Sequence, residues 1–553
     1  MKFYTNVLKT SSSIVKSVSI KRFHNVRVFQ QEQQQEDSLI DVMRKQLDIQ
    51  EEDLLEETKK NKKKKKKKND MEGIQFSKMN SRNFKLKSMK QNAIKDLPRL
   101  KFGLDRALFN PGVTYLQDPN SKVYNFDPYL ESILDIDEFN FDKIQGYIPA
   151  GEDELLQQIA AKNDKKYIAT TSSITRLLCH ISFVITNWRT IDTSTLGSEF
   201  SKMTKRYSRT LTCPCSIVLE PHENGVYSIN SDKSMENGDS VLSKLGQLME
   251  RMLTQEPSVF SKYSQSSNSS VEEIEKNSIY NYSFYDKFAL RSQLDCIHPW
   301  LPKKVFDLKT RAALPIRLDK ENYKDYLGYQ IKYLNGKMQS FEREYYDLMR
   351  SAFMKYNYQV RIGNMDGCMV AYHNTSQIFG FQYISLKEMD EKLFGNSILA
   401  DQTFGNSVQL LQQILDRITF DYPNKKLIVT LKSLQDSLIL DIFVNVIENE
   451  TFNPHPDNLV IKYQLICYSE VNGEKVITPI ELNDKKMKWD IHYVLRKVED
   501  NPLNLYNDYV KLRLLIANFF TGDLRSLPWL KQLRNLVLKK DLAKDKSKVR
   551  VFR

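Results

Sequence analysis

Leu294-Asp295-Cys296-Ile297-His298-Pro299-Trp300-Leu301-Pro302-Lys303-Lys304-Val305-Phe306-Asp307-Leu308-Lys309-Thr310-Arg311 is the stretch on which the fold turns. Two short apolar runs flank a loop that contains two prolines, the pattern of two adjacent strands joined by a turn. Each run carries an aspartate where a buried strand ordinarily carries valine or isoleucine. Side chains alternate faces along a strand, so Asp307 and Lys309 share a side. If the strands pair, Asp295 lies near both.

Three ionisable groups beside buried strands must be paired, solvated or bound to metal. Facing carboxylates raise each other's pKa unless a cation lies between them. Mg²⁺ binds through one or two such carboxylates together with phosphate oxygens. The spacing therefore fits a metal-dependent phosphodiesterase centre, with the lysine facing the phosphate. It also fits an edge hairpin whose Asp307 and Lys309 form a surface ion pair worth roughly 0–1 kcal/mol. Residue types alone leave both open.

The pattern Leu-Asp followed, twelve residues on, by Phe-Asp-Leu-Lys-Thr resembles the PD-(D/E)xK nuclease superfamily in its RecB-like form. The longer string from Cys296 to Ala313 is similar to a narrower group within it, the Pet family of fungal mitochondrial RNA-processing and degradation proteins. Matching segments are Cys213-Pro214-Cys215-Ser216-Ile217-Val218-Leu219-Glu220, Gly225-Val226-Tyr227-Ser228-Ile229-Asn230 and Leu248-Met249-Glu250-Arg251-Met252-Leu253-Thr254. The resemblance implies an α/β (α+β) fold. Its core is restriction-endonuclease-like, a mixed central sheet flanked by helices, with helical and β additions. It implies Mg²⁺ or Mn²⁺ held by Asp295, Asp307 and a first-helix glutamate, Glu250, with Lys309 beside the metal. A Gln-x-x-x-Tyr signature on the next helix points to Gln330, although Tyr333 falls one residue early. The activity implied is 5′→3′ exoribonuclease action on mitochondrial transcripts. Two alternatives stand beside it: a non-catalytic RNA-binding accessory of mitochondrial RNA polymerase or of another exonuclease, and a RecB-like mitochondrial DNA exonuclease.

Residues 1–31 hold six basic residues, no acid, several serines and an amphipathic Ile14-Val15-Val18-Ile20 face, the composition of a mitochondrial presequence. Residues 32–100 read as a disordered low-complexity linker that includes the run Lys62–Lys68. The 553-residue chain carries +13, of which residues 1–31 supply +6, 59–68 supply +9 and 539–553 supply +5. The rest is left at −7, so phosphate contacts of the body must come from local patches. Lys202, Lys205, Arg206 and Arg209 around Phe200 and Tyr207 form one candidate. Lys355, Tyr356, Tyr358 and Arg361 form another, and Arg311 joins the expected contacts. Interleaved cations and aromatics suit single-stranded RNA, though a solvated amphipathic face reads the same way.

The six cysteines are scattered and offer no zinc framework. The best apolar run, 177–188, is too short to span a bilayer, which leaves peripheral inner-membrane contact and a matrix location as the expectation. The domain reading is an extension over 101–200 packing on the core, a nuclease-like core over 201–435, a β-hairpin and helical region over 436–538 and a basic tail over 539–553. Within it, Ser216–Glu220 and Val226–Asn230 read as a hairpin, Val241–Thr254 as a helix and Lys320–Tyr358 as a long helical stretch with Gly328 and Gly336 as possible interruptions. Cys368–Tyr372 and Ile378–Ser385 read as strands, and Asn472-Gly473 as a tight hairpin turn.

Overall fold

In the computed structural model, residues 75–89, 93–235, 240–267, 278–447 and 459–521 are described. All but Gln75 fall in one compact unit, Phe76–Arg553. The presequence, the lysine run and the basic tail lie outside the described residues.

Period-2 apolar runs build two sheets. The larger has twelve strands among the described residues. Its centre is Lys426–Ser433, Cys215–Pro221, Tyr227–Ser231, Tyr167–Thr170 and Phe288–Leu294, in that spatial order. Tyr167–Thr170 runs parallel to both its neighbours, while the other ladders are antiparallel. The smaller sheet orders Val113–Tyr115, Ile378–Ser385, Gly367–His373, Val305–Ala312 and Cys296–Ile297. Only Val305–Ala312 and Gly367–His373 are parallel within it. Helices pack against the sheets, so the expected α+β class with mixed sheets holds. Residues 101–200 supply strands to both sheets, and Ile439–Ile447, Val460–Val471 and Trp489–Lys497 extend the larger one.

The chain passes from the larger sheet to the smaller at Asp295, between Phe288–Leu294 and Cys296–Ile297. The smaller sheet also lies between two apolar clusters. Val305, Cys368 and Val370 belong to the cluster that includes Met354, Tyr358 and Val360. Phe306 and Leu308 belong to another, with Leu245, Leu248, Met249 and Met252 from helix Val241–Thr254.

Several expectations are met closely. The Ser216–Glu220 hairpin, helix Val241–Thr254 and the two strands after Cys368 all form. Asn472 and Gly473 take positive φ, as a two-residue turn between paired strands demands. Two are corrected. The linker ends before residue 100: Ser77–Met79 pairs with Trp489–Lys497, and Lys87–Ser88 pairs with Ile279–Tyr285. The long helix Lys320–Tyr358 does not form. After a short helix, Leu314–Leu318, and a 3₁₀ turn, Tyr323–Tyr326, the chain stays irregular to Ser340. Ser340 then caps helix Phe341–Ser351 by accepting from Arg343 N–H at 3.1 Å, and Phe353–Ile362 follows.

Gly367 opens the strand beside Asp307 and sits opposite Ser385. A Cβ there would lie 2.4 Å from the Ile384 carbonyl and 2.9 Å from Ser385 Cα, both backbone atoms that cannot swing aside. Gly367→Ala is expected to cost roughly 1–3 kcal/mol of stability, read from denaturant unfolding. An unchanged midpoint would refute the close approach.

Candidate active site

The register of the short hairpin sets the site. Ile297 faces Val305 and Cys296 faces Phe306, so the next step places Asp295 opposite Asp307. Asp295 Oδ2 accepts from Leu308 N–H at 2.9 Å, which fixes its carboxylate against that strand. Alternation sends Phe306 and Leu308 into the cluster around Met249. It turns Asp307, Lys309 and Arg311 the other way, toward helix Phe353–Ile362.

Asp307 is fully buried. Gln359 Nε2 donates to its Oδ1 at 3.0 Å. Lys309 Nζ pairs with Oδ2 at 2.5 Å. The Lys309 ammonium sits 5.6 Å from the centre of the Tyr356 ring. Burial pushes the Asp307 carboxyl well above the usual range. Lys309 opposes that shift and Asp295 adds to it. Burial also works against the Lys309 charge, yet Asp307, Asp295 and Tyr356 outweigh it and hold the ammonium protonated.

A fully buried carboxylate beside a second carboxylate suits a hard divalent cation, which would favour its ionised form. Asp295 and Asp307 therefore fit Mg²⁺ or Mn²⁺. Among the described residues, no group of three His, Cys, Asp or Glu side chains is gathered to hold a metal. The expected three-carboxylate set is thus not assembled. Glu250 lies on helix Val241–Thr254, 3.3 Å from Arg251, and its charge reaches Cys296.

Other expected site residues fall differently. Gln330 is exposed in the irregular segment, because the helix meant to carry it does not form. Arg311 is 8% exposed and leans on Ser351 Oγ at 3.4 Å and, more loosely, on Glu344 at 3.8 Å. Its Nε and Nη2 have no hydrogen-bond partner. Burial, then the Arg317 charge, lowers its pKa to about 10.

Lys202, Lys205, Arg206 and Arg209 are exposed as a cationic surface. Their aromatic neighbours are not platforms, which corrects the interleaved reading. Phe200 is buried against Tyr346, and Tyr207 packs on Phe183. The second patch is also corrected: Tyr358 is buried, and Arg361 is paired with Asp390 and Asp401 at 2.7 Å each. Lys355 is half-buried on the same helix as Gln359, four residues before it, so the two share a face. Burial and the charges of Arg176, Lys309 and Lys320 pull its ammonium down to about 8.

Sequence reasoning missed Gln359. Tyr356 and Gln359 stand three apart on Phe353–Ile362, the third α-helix after the lysine strand, beyond the irregular segment that holds Gly328 and Gly336.

Gln359→Ala is expected to lower any metal-dependent turnover by about 10- to 100-fold, as loss of a group that orients a ligand does. RNA binding should persist, and a fully active variant would remove Gln359 from the site. A second outcome concerns pH. Asp307 has a raised pKa in the folded state, so its contribution to stability is present in acid. That contribution is lost as pH rises through the raised value. Thermal melts in chelator should show the wild type losing stability from acid to neutral pH. Asp307→Asn should lose less, and parallel curves would contradict the assignment.

A family described as "Mitochondrial protein Pet127" matches residues 147–416. A protein of Schizosaccharomyces pombe, named mRNA degradation protein pet127, mitochondrial, is 33% identical over 437 residues, 75% of this chain and 83% of that protein. A protein of Saccharomyces cerevisiae, named a putative mitochondrial translation system component, is 38% identical over 313 residues. That match takes in 53% of this chain but only 37% of the relative. Among solved structures, distant likenesses are to Rai1 of Scheffersomyces stipitis and to Dxo1 of K. lactis in complex with manganese. Rai1 is 12% identical with a TM-score of 0.29, covering 60% of this chain and 83% of that one. Dxo1 is 9% identical with a TM-score of 0.29, covering 68% and 99%. By its match to the fission-yeast protein over most of that protein's length, the chain belongs to the mitochondrial Pet127 family.

Proposed function

We propose that the chain is a metal-dependent phosphodiesterase that degrades single-stranded RNA from its 5′ end in the mitochondrial matrix. The observation that carries this reading is the fully buried Asp307 carboxylate opposite Asp295, ion-paired with Lys309. A solvated hairpin ion pair would not bury a carboxylate so completely. RNA is favoured over DNA because a relative is named for mRNA degradation. No described helix is long and apolar enough to cross a membrane.

A divalent cation held by Asp295 and Asp307 would supply Lewis-acid chemistry to the phosphodiester. Gln359 holds Asp307 in place through Oδ1, and Lys309 lies against Oδ2. Lys309 presents a fixed positive charge to the negative charge that builds on phosphorus oxygens in the transition state. Without a bound cation, Asp307 and Asp295 favour the charged form of Lys309. Water adds to phosphorus, the P–O3′ bond breaks, and the 3′-oxygen leaves with a proton. The 5′-phosphate stays on the downstream fragment. Lys355 has no carboxylate partner among the described residues and, with Arg311, offers positive charge to neighbouring phosphates.

Asp307→Asn and Lys309→Ala should each lower cleavage on the order of 10²-fold or more while RNA binding survives. The substrate set is a linear RNA labelled at either end, a circular RNA and a matching DNA, each with Mg²⁺ or chelator. Small products released from the 5′ end, an intact circle and silence in chelator are the expected result. Rapid cutting of the circle makes the enzyme an endonuclease, and equal action on DNA makes it a DNA exonuclease. Normal cleavage by either variant would leave an RNA-binding accessory as the surviving reading.

A further inference from the structure

The loop that joins the two aspartate strands carries a feature the chemistry does not use. Trp300 is 79% exposed, whereas Trp489 is fully buried and Trp188 packs against the core. Its ring does not hang loose. It stands on His298 at 5.4 Å and on Phe109 at 5.9 Å, and those two rings are 5.0 Å apart. Phe109 is itself 46% exposed, while His298 is 9% exposed and forms the floor.

The backbone beneath is fastened. Trp300 N–H donates to His298 Nδ1 at 3.3 Å, and His298 N–H donates to the Lys304 carbonyl at 2.7 Å. Leu301 is buried, and Lys303 N–H donates to Asp366 Oδ2 at 2.8 Å. An indole held out into water on a braced loop loses apolar burial that the loop's own packing does not restore.

The surroundings are polar and mostly cationic. Lys303, Lys304 and Arg106 are exposed on the segments that carry the rings, Lys303 Nζ donating to the Met365 carbonyl at 3.0 Å and Arg106 lying over the Phe126 ring at 5.3 Å, and Asp105 lies 3.9 Å from His298 Nε2. The apolar surface is two rings wide, far below what a protein interface of about 800 Å² per partner needs. Cations around open aromatic faces are what a single nucleic-acid strand uses, one for its phosphates and the other for its bases. The loop is also continuous with the acidic pair, since Val305, which closes it, stands two residues before Asp307.

We propose that Trp300, seated on Phe109 and His298, is a stacking platform for an unpaired base of the strand whose phosphodiester lies at Asp295 and Asp307. This role rests on the nuclease reading of the acidic pair, and it adds selection for unpaired over duplex substrate.

Binding of a fluorescent single-stranded RNA to the full chain, in chelator so that no cleavage occurs, tests it. Trp300→Ala should raise Kd by about 5- to 150-fold, as loss of one base stack does, and should leave duplex RNA binding unchanged. Trp300→Phe should restore most of the affinity, which separates stacking from a folding defect, and equal thermal melts should accompany both variants. With Mg²⁺ present, Trp300→Ala should raise KM and leave kcat near wild type. Unchanged single-strand affinity in Trp300→Ala overturns the proposal. So does lost binding to phosphatidylserine vesicles with RNA binding intact, which would make the ring a membrane anchor. A wild type that binds RNA through Trp300 yet never cleaves it would keep the platform and discard the nuclease reading.

Discussion

Burying the Asp307 carboxylate is the constraint on which the rest of the structure depends. A carboxyl taken wholly out of water costs several kcal/mol unless it is neutralised or paired. Here one oxygen takes the Gln359 amide and the other lies against Lys309. Each compensation requires a separate element. The strand Val305–Ala312 must hold Asp307 and Lys309 on one face, and helix Phe353–Ile362 must bring Gln359 and Tyr356 down onto that face. The crossing of the chain at Asp295 must then set the second carboxylate opposite. The two sheets share a site because the chain changes sheets at one of its acids.

How much of this the sequence displays depends on whether the relevant signal is a side chain or a backbone. Asp307 and Lys309 are legible because they break an apolar period-2 run, and helix Val241–Thr254 because its stripe faces one cluster. The edge strands Ser77–Met79 and Lys87–Ser88 are not legible. Apart from the half-buried Met79 their residues are polar and exposed, and their pairing partners lie far along the chain, at Trp489–Lys497 and Ile279–Tyr285. The segment 319–340 misleads for a different reason. Its tyrosines and leucines, which read as a helical stripe, are largely exposed, among them Leu327, Tyr333 and Leu334. Hydrophobic spacing shows where a helix would bury residues only if something is there to cover them.

The charge balance has a similar division. Away from its basic tails the chain is acidic, yet the neighbourhood of Lys309 is not. Glu344 and Asp347 are already engaged by Arg317, at 2.5 and 3.0 Å, and Asp347 also by Arg343. Those two carboxylates are therefore largely spent before Arg311 reaches them. Asp307, with its pKa raised, contributes less negative charge than its formal count suggests. Positive charge is left over where the strand's phosphates would arrive, even though the body as a whole repels them. Screening shortens the reach of the distant acids to about 10 Å at 0.1 M salt, so the local excess prevails.

The same electrostatics assigns roles within the site. A lysine can act as a base only if its neighbours let it lose a proton, and two adjacent carboxyls do the opposite. Lys355, without a carboxylate partner among the described residues and pressed by three cations, is an ammonium that burial and neighbouring charge weaken. The two lysines lie close enough to influence each other, yet their surroundings drive them apart in pKa, as happens where one group must stay charged and another must respond to an incoming anion. An arriving phosphate would favour the charged form of Lys355 further. On the proposed mechanism, substrate binding and transition-state stabilisation would fall to different residues on facing elements, one on the helix and one on the strand.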